Sequence, residues 1–479
     1  MRNLHIIAAL SLMLAGVGCS PGGDRPGATS APPPPESSPS AQTPGPGGDN
    51  AAADGDPAPA PVEFRNVRIF DGRSDTLSAP SNVLVKGNRI DKISTEPLPP
   101  EPGATVIDGG GRTLMPGLID NHWHTMLVRP PVTQLTTLDP GYLNLLAGAE
   151  ATDTLMRGFT TVRDLGGPSF GLKRAIDEGV IDGPRIFPSG AIITVTSGHG
   201  DFRTPADLPR NPGGNLSHQE ELGAAMVADS PDEVRMRTRE QLFQGASQIK
   251  LTAGGGVSSP HSPLDVTTFT EPELRAATEA AANWGTYVTV HAYTPQTIQQ
   301  AIRAGVMCVE HAHLMDEATA KEMADNNIWL STQPIPAEMI GAFPPGSDEA
   351  AKAKEIVDGV ANVYQLARKY KLKTAFGTDI LFSPQLAPKQ GALLAGLGRW
   401  FSPAETLTMA TATNGELLAM SGKRSPYPGK LGVVEQGALA DLLLVDGDPL
   451  SNLQLIADPG RNFKIIMKDG KVYKNTLPA

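Results

Sequence analysis

The chain changes character several times along its length, and the spacing of apolar residues shows it first. After a short basic start, Met1-Arg2-Asn3, the run 4–17 is mostly apolar, interrupted by His5 and Ser11. The stretch 20–60 then holds eleven prolines with many Gly, Ser and Ala and no aromatic residue. Such a composition cannot bury enough apolar surface to offset its ordering entropy and predicts a stalk, not a fold. From Val62 onward short strand-like runs appear at 62–70, 82–86, 89–94 and 105–108, with Gly87-Asn88 as a tight-hairpin signal between two of them. Similar runs return at 441–445, 464–468 and 471–474, the last two joined by Asp469-Gly470.

The middle of the chain behaves differently. Strand candidates at 117–122, 160–163, 185–193, 248–252, 286–291, 307–311, 328–332 and 374–377 alternate with helical stretches. Ser230-Pro-Asp-Glu233, Thr270-Glu-Pro-Glu273 and Ser402-Pro-Ala-Glu405 are capping boxes with proline in the first turn, which start helices. Eight strands alternating with helices predict an α/β fold, a (β/α)8 TIM barrel over 115–425. Residues 62–114 and 426–479 predict a small β-sandwich domain formed from both ends of the chain.

Composition narrows the setting. With 40% hydrophobic and 19% charged residues the chain is too apolar to be disordered throughout. Its net charge of −11 argues against nucleic acid, whose binding needs a cationic surface. Residues 1–18 have the layout of a signal peptide, and 19–61 form the stalk. Gly18-Cys19 resembles a bacterial lipoprotein processing site, where that cysteine is lipidated. The expectation is an exported protein, lipid-anchored in the cell envelope (periplasmic or outer membrane) through Cys19, with plain secretion as the alternative. The membrane is then a partner only through the lipid. Cys308, the other of two cysteines, reads as a buried strand residue.

The candidate chemistry begins at Pro116-Gly-Leu-Ile-Asp-Asn-His122-Trp-His124. Residues two apart on a strand share a face, so both imidazoles aim at one point, and imidazole suits zinc and its neighbours. At the C-terminal end of a barrel strand that point is the mouth, where barrel active sites lie. Taken alone, the pair has an alternative reading as two surface histidines following a strand. Further residues of the same kind recur at strand ends: His291, His311 and Asp379. Lys250 lies in an otherwise apolar strand, where a lysine carries a heavy desolvation cost unless paired or modified. Six of the nine histidines, at 122, 124, 199, 291, 311 and 313, fall at or just past proposed strand ends.

The order HxH, Lys, His, His, Asp on successive strands resembles the amidohydrolase superfamily, most closely its branch of prolidase-like dipeptidases, carboxypeptidases and ochratoxin-hydrolysing amidases. The resemblance runs from Val62 to Asn475 and includes Gly254-Gly-Gly-Val, Phe376-Gly-Thr-Asp and the tail Gly437-Ala-Leu-Ala-Asp-Leu-Leu-Leu-Val-Asp-Gly-Asp-Pro. It implies two divalent metal ions, zinc foremost, one held by His122, His124 and Asp379 and the other by His291 and His311. Lys250 would be carbamylated and bridge them. A hydroxide shared by the ions would attack an amide joined to an amino acid, in a dipeptide, a peptide C-terminus or an N-acyl amino acid such as ochratoxin. Asp379 would shuttle the proton. A homo-oligomer is also implied.

His199, in Thr194-Val-Thr-Ser-Gly-His-Gly, matches a branch motif and is a candidate to bind substrate and polarise its carbonyl; a structural loop histidine is the alternative. His313 faces the same way as His311, and the resemblance favours His311 as the ligand. Tyr293 is a candidate to hydrogen-bond a substrate carboxylate, or else packs. The stretch 198–229 is expected to lie over the mouth as a partial lid. Ser262 stands where related dipeptidases tend to have Asp, and His218 and His261 lie in loops. Two other functions compete. Cyclic-amide hydrolysis or deamination is common elsewhere in the superfamily, but single-metal members lack a bridging lysine. A catalytically inactive binding lipoprotein is disfavoured because all six proposed ligands are present.

Overall fold

The computed structural model describes residues 60–211 and 214–478; the expected leader, Cys19 and nearly all of the stalk lie outside the described residues. Eight parallel strand positions form the central barrel. Leu118–Trp123, Phe159–Asp164 and Arg185–Pro188 make one ladder. Ile192–Thr194, Ile249–Thr252, Val288–Ala292, Cys308–His311, Trp329–Thr332 and Thr374–Phe376 make the other. The ladders join at both seams. Ser247 donates its N–H to the Pro188 carbonyl at 2.7 Å. At the other seam a parallel bridge pairs Trp123 with Ile380, and Asp379 donates to the His122 carbonyl at 2.8 Å. A β-carbon on Gly377 would lie 2.5 Å from the Cβ of His122, so glycine is what lets the eighth strand close against the first.

The third strand differs from the expected continuous run 185–193. It breaks into Arg185–Pro188 and Ile192–Thr194. Gly190 at the break adopts φ +75°, and the Ala191 N–H donates to the Gln241 side chain at 3.0 Å instead of to a neighbouring strand. The stretch 198–229 is also more structured than a plain lid. It contains the short helix His218–Glu221 and a strand, Ala225–Val227, that pairs with Ile192–Thr194 at the sheet edge. Of the three predicted capping boxes, those at Thr270 and Ser402 close reciprocally. At Ser230 the hydroxyl caps Glu233, but the Glu233 carboxylate takes the Asp229 N–H.

Both chain ends build the β-sandwich. Val62–Ile69 bulges between Phe64 and Val67, with Asn66 at φ 52°. Residues 62–64 and, past the bulge, Val67 pair with Ser81–Lys86, and residues 62–65 pair with Thr105–Asp108; further on, Arg68 and Ile69 pair with Thr113 and Leu114. One strand thereby serves two sheets, and the sheet folds over a core that includes Phe64, Val83, Ile90, Leu114, Leu444, Ile465 and Met467. Thr113–Pro116, which alternation did not reveal, is the hinge of this arrangement. It joins the N-terminal strands to Leu442–Val445 and runs straight on toward the first barrel strand.

Candidate active site

A cavity of about 390 Å³ opens at the C-terminal ends of the barrel strands. His122, His124, Lys250, His291, His311 and Asp379 all line it, as do His199 and Tyr293. Two of these side chains are positioned by unusual backbone. His311 has φ 73° and Asp379 φ 54°, so each strand turns sharply where its functional residue stands. Such conformations are held only where surrounding structure compels them. Asp120, buried on the first strand, supplies part of that constraint. It accepts from the Thr378 hydroxyl at 2.6 Å, from Gln390 at 2.9 Å and from the His122 N–H at 3.0 Å, tying the first strand to the eighth.

The imidazoles are oriented from behind. His122 Nδ1 lies 2.8 Å from Glu310 Oε2, so the proton sits on Nδ1 and the Nε2 lone pair faces the cavity. His311 Nδ1 lies 2.7 Å from Gln333 Oε1, and its buried Nε2 has no hydrogen-bond partner among the described residues. His291 Nε2 meets the Gly255 carbonyl at 2.8 Å, which leaves its lone pair on Nδ1. Asp379 Oδ1 stands 3.1 Å from both His122 Nε2 and His124 Nε2. His122, His311 and Asp379 offer donor atoms within 4.8 Å of one another. Two imidazole nitrogens 3.1 Å from one carboxylate oxygen, with His311 close by and its buried Nε2 without a partner, are a donor set that fits a divalent cation.

Glu310 is the centre of a charged layer beneath this set. It accepts from Arg163 at 2.7 Å, and Arg163, fully buried, also donates to the Asn121 carbonyl and the Tyr287 hydroxyl. Burial pushes the Glu310 carboxyl up, but the Arg163 guanidinium and His122 hold it well below the ordinary carboxylate range. Breaking such a pair on one side leaves a buried charge uncompensated. Glu310→Gln, although nearly isosteric, is therefore expected to lower the unfolding free energy by about 3–5 kcal/mol. Urea denaturation of metal-free protein measures this; a loss below 1 kcal/mol would mean that Arg163 is otherwise solvated.

The remaining predicted residues divide. His199 Nδ1 lies 3.0 Å from the Ser259 hydroxyl, and its ring sits 4.2 Å from that of His291. Burial pushes it down to about 3, so it is neutral. A β-carbon at Gly256 would fall 2.0 Å from His199 Nδ1, so the glycine-rich loop is what admits this ring. Tyr293 is buried against the rings of His291 and His311, and burial raises its hydroxyl, which stays protonated. His313 lies behind the site, 3.1 Å from the Gln333 carbonyl, and does not line the cavity. His218 bonds the Leu138 carbonyl, and His261 is exposed. Cys308 is buried, its thiol pushed up to about 12 by that burial. Glu310, next to Val309, was detectable by the same criterion as Lys250; Arg163, among Thr160, Thr161 and Asp164, was not. Gln333 and Ser259 carry no such signal.

A parallel barrel with imidazoles, a carboxylate and a buried lysine gathered at its C-terminal mouth defines the class of barrel hydrolases that work through a metal site. Residues 113–473 match the Amidohydrolase family, and the chain belongs to it. It is 30% identical to the ochratoxinase of Aspergillus niger over 373 residues, 75% of each chain. The crystal structure of a prolidase complexed with N-methylphosphonate-L-proline is 32% identical, covers 87% of this chain and 100% of its own, and superposes with a TM-score of 0.80. A Xaa-Pro dipeptidase with bound methionine is 27% identical over 87% of this chain and 100% of its own, with a TM-score of 0.74. The chain is a hydrolase of carbon–nitrogen bonds in small amide or peptide substrates.

Proposed function

We propose that this enzyme uses two divalent metal ions to cleave an amide bond to an amino acid, in a dipeptide, a peptide C-terminus or an N-acyl amino acid such as ochratoxin A. The observation that carries this is the convergence of His122, His124, Lys250, His291, His311 and Asp379, from five different strands, on one cavity. His122, His124 and Asp379 would hold one ion, and His291 and His311 the other, with a carbamate on Lys250 between them. Divalent ions bound there would make water nucleophilic at neutral pH and polarise the scissile carbonyl.

The protein's own groups do the rest. Asp379 takes the proton of the attacking water and returns it to the leaving nitrogen. His199, neutral and fixed by Ser259, donates to the carbonyl oxygen as negative charge develops there. Tyr293 offers its hydroxyl to the carboxylate of the amino-acid half. Protein purified with zinc should carry close to two equivalents per chain by elemental analysis. Full activity at one equivalent would overturn the two-metal assignment. A screen of dipeptides and N-acyl amino acids, including ochratoxin A, tests the substrate.

A further inference from the structure

The charge inventory of the cavity is unusually short. Among the described residues that line it, the only acid is Asp379 and the only lysine or arginine is Lys250. Asp379 is already engaged, its Oδ1 standing 3.1 Å from two imidazoles. The rest of the wall is supplied largely by two separate apolar clusters. One brings Leu127, Leu135 and Phe382. The other brings Val257, Ile335 and Ile356. The polar groups between them, such as Ser258, Ser383 and Tyr293, are neutral.

We infer that the site selects N-acyl amino acids with an apolar acyl group and rejects dipeptides with a free α-ammonium; this rests on the amide-hydrolase function proposed above. In a dipeptide the ammonium nitrogen is two bonds from the scissile carbonyl carbon. It cannot trail into solvent while that carbon is at the reacting position. It must enter an apolar cavity with no free carboxylate to receive it, and a buried cation without a partner is strongly disfavoured. Replacing the ammonium by hydrogen removes that cost and leaves the apolar contacts, so discrimination comes from rejection of the charged analogue.

The decisive pair is 3-phenylpropanoyl-L-phenylalanine and L-phenylalanyl-L-phenylalanine, which differ only in the ammonium. The zinc-loaded enzyme should favour the first by at least ~100-fold in kcat/KM. The dipeptide alone should gain activity as pH rises through its amine pKa, near 8. Met339, half-buried, lines the cavity; Met339→Glu should narrow the ratio by at least ~10-fold. Calorimetry should show 3-phenylpropanoate binding more tightly than phenylalanine. A ratio near one, or a preference for the dipeptide, overturns the inference. If neither compound is cleaved, the amide-hydrolase proposal fails for this pair, while the calorimetric comparison still decides the inference: equal binding of the two acids overturns it.

Discussion

Lys250→Ala lowers turnover by at least ~1,000-fold, about 4 kcal/mol of lost barrier stabilisation, and short carboxylates such as formate or propionate restore part of it. The expectation follows from where the lysine sits. It belongs to Ile249–Thr252, flanked by fully buried Ile249 and Leu251, and is itself 2% exposed. Its Nζ lies 3.5 Å from His122 Nε2, and burial lowers its affinity for a proton. If it is carbamylated as proposed, its nitrogen would form an N–C bond to carbon dioxide and release a proton, leaving an anion beside His122 Nε2. Alanine leaves that space empty, and an added carboxylate supplies the missing anion without the tether. Lys250→Glu keeps a tethered anion and should fall between the two. Metal content should drop with activity in Lys250→Ala. Turnover within tenfold of the parent enzyme would remove the lysine from the centre.

Asp379→Asn should cost at least ~100-fold in turnover while the protein still folds. Burial pushes this carboxyl up, but the imidazoles of His122, His124 and His311 beside it hold it well below the ordinary range, so it is ionised and can accept a proton. Asparagine has nearly the same shape but no comparable basicity. It also tolerates the left-handed backbone that Asp379 adopts at φ 54°, so the sharp turn after the eighth strand should survive. Circular dichroism and thermal unfolding check the fold, and steady-state kinetics on metal-loaded protein check the role. Near-normal turnover would show that another group moves the proton.

The identity of the cavity-lining donors was written in the sequence. Two histidines two apart must share a face of an extended strand, and a lysine between Ile249 and Leu251 is costly unless something uses it. Those are local constraints, set by the period of the strand and the cost of burying charge. Helix starts were legible for the same reason, since Thr270 and Ser402 cap their own helices within a single turn. Several things depended on contacts distant in the chain. The split of the third strand is decided by Gln241, which supplies a partner from a helix about 50 residues away. Thr113–Pro116 is too short to show alternation and becomes a strand only because Leu442–Val445 and Val62–Ile69 flank it.

The lone-pair directions are the clearest case. Nothing near His122 in the chain shows that its Nδ1 will meet Glu310, 188 residues away, or that Gln333 will orient His311. Strand period determines which residues point into the barrel. The registers between strands, set only when the barrel closes, determine which of them meet.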